Sequence, residues 1–257
     1  PPTREVVLKQ AGDLSVLIVD DEPSQISLLT ELIKATGMKP RSSTNGEEAL
    51  KLLEKEKFDL VLTDIQMPKV DGFSLLKRIR SKKALRDTPV IALSGKTDVP
   101  QEEYLRRGFS GSLLKPYSSK ELLTIIERSL QVKFSKTETG PETNYQDGGN
   151  YSLEEVNLFA GGDKKALDTI LTAFIDSSRT NLQVLREAHQ KGDEERMAAI
   201  AHKMLPMFRQ LKAENIVKKL ERLENRRIRN SEEELDKAAE EIHQLLGKLE
   251  EFMYPKV

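Results

Sequence analysis

The sequence predicts two unlike modules in tandem: a small doubly wound α/β domain with a five-stranded parallel sheet, then an all-α up-and-down helical bundle. Three observations carry this. Over the first half, short runs rich in Val, Ile and Leu alternate with amphipathic helical stretches. Continuous apolar runs suit strands covered on both faces. After residue 152 the strand signals stop and helix punctuation repeats. Between the two lies 135–150, SKTETGPETNYQDGGN, which has hardly any apolar residues and reads as a flexible connection. The expected organisation is a lead-in over 1–13, the α/β domain over 14–132, a linker over 133–151 and the bundle over 152–257.

The strand candidates of the first module are 15–19 (SVLIV), a weaker 38–42 (MKPRS), 60–63 (LVLT), 90–93 (VIAL) and 111–114 (GSLL). About five helices intervene. Ile26, Leu29, Leu32 and Ile33 recur at helical spacing, and Thr44-x-x-Glu47 and Ser118-x-x-Glu121 have the form of capping boxes. Alternating strands and helices of this length make a parallel sheet with helices on both faces.

The second module is punctuated throughout. Ser152-x-x-Glu155 opens a helix and Gly161-Gly162 closes it; Asp163 caps the next, Gly192 closes that, Asp193 caps the following one and Ser231-x-x-Glu234 opens the last. Leu167, Ile170, Leu171, Phe174 and Ile175 keep one face, as do Ile242, Leu245, Leu246, Leu249 and Phe252.

Composition bounds the function. Lys plus Arg total 41 and Asp plus Glu total 42, a balance that argues against a chain built mainly to neutralise nucleic-acid phosphates. The balance conceals a split, since residues 1–135 hold 22 basic and 19 acidic side chains and the remainder 19 and 23. There is no Cys, hence no disulfide, thiolate metal site or Cys nucleophile. No apolar run approaches the roughly 18 residues of a membrane span, and the first ten residues lack a signal-peptide layout. A cytoplasmic location is expected. The first residue is not Met, which is compatible with a piece of a longer protein.

In a sheet of this type ligands sit beyond the carboxyl ends of the strands. Those ends hold Asp20 and Asp21 after the first strand, Asp64 after the third, Ser94 after the fourth and Lys115 after the fifth. Three carboxylates repel one another and need a counter-charge. All-oxygen ligation suits a hard cation, Mg²⁺ above all. A cation and a lysine can neutralise a phosphoryl group in transfer, and a carboxylate can be its covalent acceptor.

The stretches LIVDDE, LTDIQMPKVDG, ALSG and LLKP resemble the receiver domain of two-component signalling, which has a flavodoxin-like fold, and the resemblance covers residues 14–130. It implies that Asp64 is the phospho-acceptor, that Asp21 and Asp64 ligate Mg²⁺ directly with Asp20 acting through water, and that Gln66 adds its backbone carbonyl. It makes Ser94 the switch hydroxyl and Lys115 the phosphate-binding cation, while Met67-Pro68 and Asp71-Gly72 shape the loop after Asp64. Receivers usually carry Tyr or Phe three residues before the final Lys; here Ser112 stands there, with Phe109 the aromatic considered as a spatial substitute.

The chain has three His. His189 ends a helix, where it complements the helix dipole, and His243 lies beside the core stripe of the last helix. His202 lies in RMAAIAHKMLPMFRQLK, whose buried stripe is expected to be Met197, Ile200, Ala201, Met204, Phe208 and Leu211. At 100° per residue His202 stands about 200° from Ile200 and faces water, ringed by Ala198, Ala199, Leu205 and Pro206. An unprotonated imidazole accepts phosphoryl groups near neutral pH. Pro206 should bend the helix. Lys218, Lys219, Arg222, Arg226, Arg227 and Arg229, diluted by Glu214, Glu221 and Glu224, read as a solvated face.

Residues 152–254, with AHKMLPMF as the His-bearing helix, resemble a histidine-containing phosphotransfer domain. Many such domains carry Lys and Gly three and four residues after the His, where this chain has Leu205 and Pro206; Lys203 or Arg209 is then the available cation. Together the two resemblances imply a phosphorelay. Asp64 takes a phosphoryl group from a histidine kinase domain, in the parent protein or in trans, and His202 relays it to the receiver of a separate response regulator. They further imply that the chain is the C-terminal part of a hybrid sensor histidine kinase. No ATP-binding module, nucleic-acid partner or membrane span is read in these residues. The alternative is a response regulator whose helical module is a protein- or DNA-binding effector.

Overall fold

A computed structural model describes residues 11–95, 99–134, 150–225 and 231–255. The connection 135–149 and the arginines Arg226, Arg227 and Arg229 lie outside the described residues. The chain divides into two compact units.

After a short 3-10 turn at Ala11–Asp13, the first unit runs β1 (Ser15–Val19), α1 (Pro23–Ala35), β2 (Lys39–Ser43), α2 (Gly46–Lys55), β3 (Leu60–Asp64), α3 (Gly72–Ser81), β4 (Val90–Ser94), α4 (Gln101–Arg106), β5 (Gly111–Leu114) and α5 (Ser119–Leu130). The sheet order is β2-β1-β3-β4-β5 and every pairing is parallel. This is the five-stranded flavodoxin-like architecture read from the apolar runs. The strand set off as weak, β2, is the polar edge strand KPRSS, mostly exposed, and its Lys39 N donates to Leu14 O at 2.9 Å.

Side chains of successive strand residues alternate between faces. Leu17, Val19, Val61, Val90 and Ala92 form one core with Ala49, Leu53, Leu75, Leu76 and Ile79 of α2 and α3. Ile18, Leu62, Ile91 and Leu93 point the other way and are equally buried. Ser118 caps α5 with both halves of the capping box formed. At α2 the cap is displaced by one residue from the sequence expectation. Asn45 accepts from Glu47 N and Glu48 N, while Thr44 N and Oγ1 donate to Glu48. Asn accepts such bonds as well as Thr does, and it sits one place nearer the first turn.

The second unit runs α6 (Glu154–Phe159), α7 (Lys164–Gln190), α8 (Glu194–Gln210), α9 (Glu214–Glu224) and α10 (Ser231–Met253). Asp163 accepts from Ala166 N and Asp193 from Arg196 N, so both read as expected from sequence. Gly161, Gly162 and Gly192 all have positive φ, the conformation that makes glycine the usual stop signal. At α6 the cap position is Leu153, with Ser152 one residue earlier accepting from Glu154 N. Phe159, Phe174 and Phe208 centre the core, and Phe174 meets Phe208 edge-on at 5.0 Å between ring centroids. Phe252, expected on the core stripe, is half-buried with Lys164 over its ring, and Met253 is buried in its stead.

Candidate functional site

The carboxyl ends of the strands bring the expected side chains together. Asp20 and Asp21 follow β1, Asp64 ends β3, Ser94 ends β4 and Lys115 follows β5. One carboxylate oxygen from each of Asp20, Asp21 and Asp64 lies within 4.8 Å of the others. Main-chain bonds set the edge. Asp20 N donates to Ser43 O (3.2 Å), Ile65 N to Leu93 O (3.1 Å) and Lys115 N to Ser94 O (2.7 Å). The Lys115–Pro116 peptide is cis.

Lys115 Nζ reaches Asp20 Oδ2 at 2.8 Å and Asp64 Oδ1 at 3.2 Å. The Asp64 carboxyl is pushed up to about 6, because burial and the neighbouring Asp20 and Asp21 raise it by more than Lys115 lowers it. Burial opposes the charge on Lys115, but Asp20 and Asp64 outweigh it and hold the ammonium firmly protonated. Burial is the leading cause of the raised acid, and the two neighbouring carboxylates add to it. An all-oxygen donor set of this kind fits a hard divalent cation.

The loop after Asp64 is built for close approach. Gly72 N donates to Ile65 O at 3.1 Å, and a Cβ on Gly72 would stand 2.5 Å from Asp64 O. Asp71 caps α3 by accepting from Ser74 N at 2.7 Å. Gln66 lies in this loop two residues past Asp64 and is half-buried, and Met67 and Val70 fold into the core.

One contact was not foreseen. The buried Tyr104 of α4 donates its hydroxyl to Ser94 Oγ at 2.8 Å. Its ring stacks on Phe73 at 5.8 Å and meets Phe109 edge-on at 5.8 Å. Ser112 is buried. The aromatic beside the Ser94 hydroxyl therefore comes from α4, not from Phe109, which packs edge-on against Tyr104. The available signal was a Tyr ten residues after Ser94 at the first turn of a short helix.

A model of the response regulator receiver domain matches residues 16–127. The chain is 32% identical over 122 residues to an uncharacterised 14.6 kDa protein of Leptolyngbya boryana and covers 93% of it. The chain belongs to the response regulator receiver domain family. Its receiver domain serves two-component phosphorelay signalling, and its relatives include sensor kinases and response regulators. It is 43% identical over 98 residues, 38% of this chain, to the gliding motility regulatory protein of Myxococcus xanthus, of which it spans only 12%. It is 26% identical over 207 residues to the virulence sensor protein BvgS of Bordetella bronchiseptica, covering 76% of this chain and 17% of that protein. Among solved structures, the receiver aligns with the response regulator TrrA of Thermotoga maritima in complex with Mg²⁺ and BeF. The two are 31% identical, with a TM-score of 0.42, and 46% of this chain and 99% of that one are covered. No described helix is long and apolar enough to cross a membrane.

In the helical unit, His202 lies on α8 with its side chain 26% exposed, and its Nδ1 stands 2.5 Å from Glu224 Oε1 on α9. A carboxylate oxygen accepts, so Nδ1 is the donor of this pair; in the neutral ring that tautomer leaves the lone pair on Nε2. The expected apolar ring around His202 is corrected. Leu205 and Pro206 are buried and Ile200 is only half-buried. The reason is that α8 packs against both α7 and α9, so its buried surface is wider than the single stripe read from the sequence. Arg209, considered a cation for His202, donates instead to Glu221 at 2.8 Å. Pro206 lies inside α8, which continues to Gln210. His243 is engaged through Nδ1 by the Ala239 carbonyl at 2.6 Å, and His189 sits in the last turn of α7. Lys219 and Arg222 pair with Glu241 and Glu234 of α10.

Proposed function

We propose that this chain is a two-step phosphorelay segment, in which Asp64 receives a phosphoryl group and His202 passes it on. A carboxylate oxygen of Asp64 attacks the phosphorus of a phosphohistidine on a kinase. The new O–P bond forms as the N–P bond breaks, and the released imidazole takes up a proton. Lys115 balances charge on the arriving group, and Ser94 donates a hydrogen bond to one of its oxygens. Asp20, Asp21, Asp64 and the Gln66 main-chain carbonyl are the candidates to hold Mg²⁺. Bound there, the ion supplies positive charge to the transferring oxygens.

In the second step the Nε2 lone pair of His202 attacks the acylphosphate, and the Asp64 carboxylate is the leaving group. Glu224 orients the ring, and its negative charge balances the positive charge that develops on the imidazole, Nδ1–H retained, as the N–P bond forms. The observation that carries this step is the His202–Glu224 pair, a partly exposed imidazole held through Nδ1 by a carboxylate, an arrangement that suits Nε2 for the role of nucleophile. The alignment with the sensor protein BvgS covers 76% of this chain, so the similarity extends beyond the receiver match over 16–127 into the helical unit. The two domains expected over 14–132 and 152–257 are the carriers of the two steps, and a receiver on a separate response regulator is the final acceptor.

The test is transfer within the purified chain. Labelled acetyl phosphate and Mg²⁺ should give a base-labile label on Asp64, followed by an acid-labile, base-stable label that His202→Gln abolishes. An undiminished base-stable label in His202→Gln sinks the relay and leaves the receiver with a helical effector.

A further inference from the structure

We propose that Tyr104 is a positioning residue for Ser94, coupling the loading of Asp64 to the surface formed by α3 and α4. The proposal deepens the reading of Asp64 and Ser94 given above and rests on it. Three residues before Lys115 this chain has the buried Ser112. The hydroxyl contact is supplied from α4 instead, through Tyr104 Oη to Ser94 Oγ at 2.8 Å.

A serine hydroxyl has one proton to give and two lone pairs to offer. Ser94 accepts from Tyr104, so its own proton is directed elsewhere. A phosphoryl oxygen on Asp64 would then complete a chain, Tyr104 to Ser94 to phosphoryl group. A hydrogen bond accepted at Oγ makes the Ser94 O–H a stronger donor, and the reverse holds equally. Loading therefore tightens the hold on Tyr104 and draws its ring toward the strand end. That ring cannot move alone. It stacks on Phe73 with an interplanar angle of 7°, and both rings meet Phe109 edge-on. Phe73 in turn lies under the Arg107 guanidinium, 4.5 Å from the ring centroid, and Arg107 is tied to Glu103 at 2.7 Å. The path ends on Glu103 and the exposed Arg107 at the end of α4, and Ser112 on β5 is bypassed.

Coupling of this kind is reciprocal. The test uses beryllofluoride with Mg²⁺ as the probe, its bound form read by fluorine NMR and its effect by amide shifts of the full chain. Wild type should load and shift the amides of Phe73 and of 102–107. Tyr104→Phe, which keeps the ring and removes the hydroxyl, should load about fivefold more weakly and lose those shifts. Ser112→Ala should change neither. As a second readout, one labelled tyrosine ring resonance of the wild type should move on loading and be absent in Tyr104→Phe. Equal affinity and an unchanged shift pattern in Tyr104→Phe overturn the coupling while leaving Asp64 as the acceptor. A pattern abolished by Ser112→Ala overturns it too. Failure of the wild type to bind beryllofluoride overturns the reading of Asp64 itself.

Discussion

Lys115 stands closer to Asp20 than to Asp64, 2.8 Å against 3.2 Å, and so serves two buried acids with one charge. Lys115→Met removes the one ammonium that ion-pairs with this cluster among the described residues and leaves the three carboxylates facing one another. Without Mg²⁺ the variant should lose about 3–5 kcal/mol at neutral pH, the usual cost of stripping one partner from a buried ion pair. Mg²⁺ should restore a part that wild type does not need. Thermal unfolding with and without the ion decides this, and equal Mg²⁺ responses in the two proteins would count against it.

The raised Asp64 carboxyl makes a prediction about pH. Folded, it titrates at about 6 against an ordinary 3.8, so the folded chain holds this proton more tightly than the unfolded one. Stability attributable to the group is full below its unfolded value and is lost as pH rises toward 6, staying flat above. Asp64→Asn has no such loss. In the absence of divalent ions it should be more stable than wild type by about 1–3 kcal/mol at pH 7, with the margin opening between about pH 4 and 6. Urea titrations across that range check it; a margin independent of pH contradicts it.

Gly72 offers a steric test. A methyl at 2.5 Å from the Asp64 carbonyl forces the β3–α3 loop to shift. Gly72→Ala should cost about 2 kcal/mol or more, as overpacking does, and lower the base-labile phosphoryl label. Gly12→Ala, with nothing within 4 Å of the added carbon, is the control and should be near neutral.

Glu224→Gln tests the helical unit. The amide can still accept from Nδ1 but carries no charge to balance the attacking ring. The helices should stay folded, while the base-stable label on His202 should form roughly ten- to hundredfold more slowly, in the range of a lost hydrogen bond to a charged group. An unchanged transfer rate with unchanged circular dichroism removes Glu224 from the reaction.

The α/β half was legible because its signals are local. Buried parallel strands need unbroken Val, Ile and Leu, and the reacting groups must follow them at the strand ends, so Asp20, Asp64, Ser94 and Lys115 could be placed from chain order alone. Tyr104 and Glu224 were harder because each acts across a tertiary contact. Tyr104 meets Ser94 only when α4 folds back over β4. Glu224, three residues after Glu221 on α9, looked like dilution of a basic run until α8 brought His202 and Arg209 against the two acids. The caps show the same limit on a smaller scale. Ser118 and Glu121 closed their box as written, whereas Thr44 yielded to its neighbour Asn45, because either residue can accept and only backbone geometry chooses.

The edge strand β2 has one more consequence. Its Lys39 N–H points inward to Leu14 O, so by alternation the nitrogen of Pro40 faces outward, at the open border of the sheet. That border lacks a donor where an incoming strand would need one, and Lys39 and Arg41 flank the gap with like charge. Strand-by-strand growth from this side is blocked at its second residue. Among the described residues, the five of β2 thus give this border of the sheet its protection against strand addition.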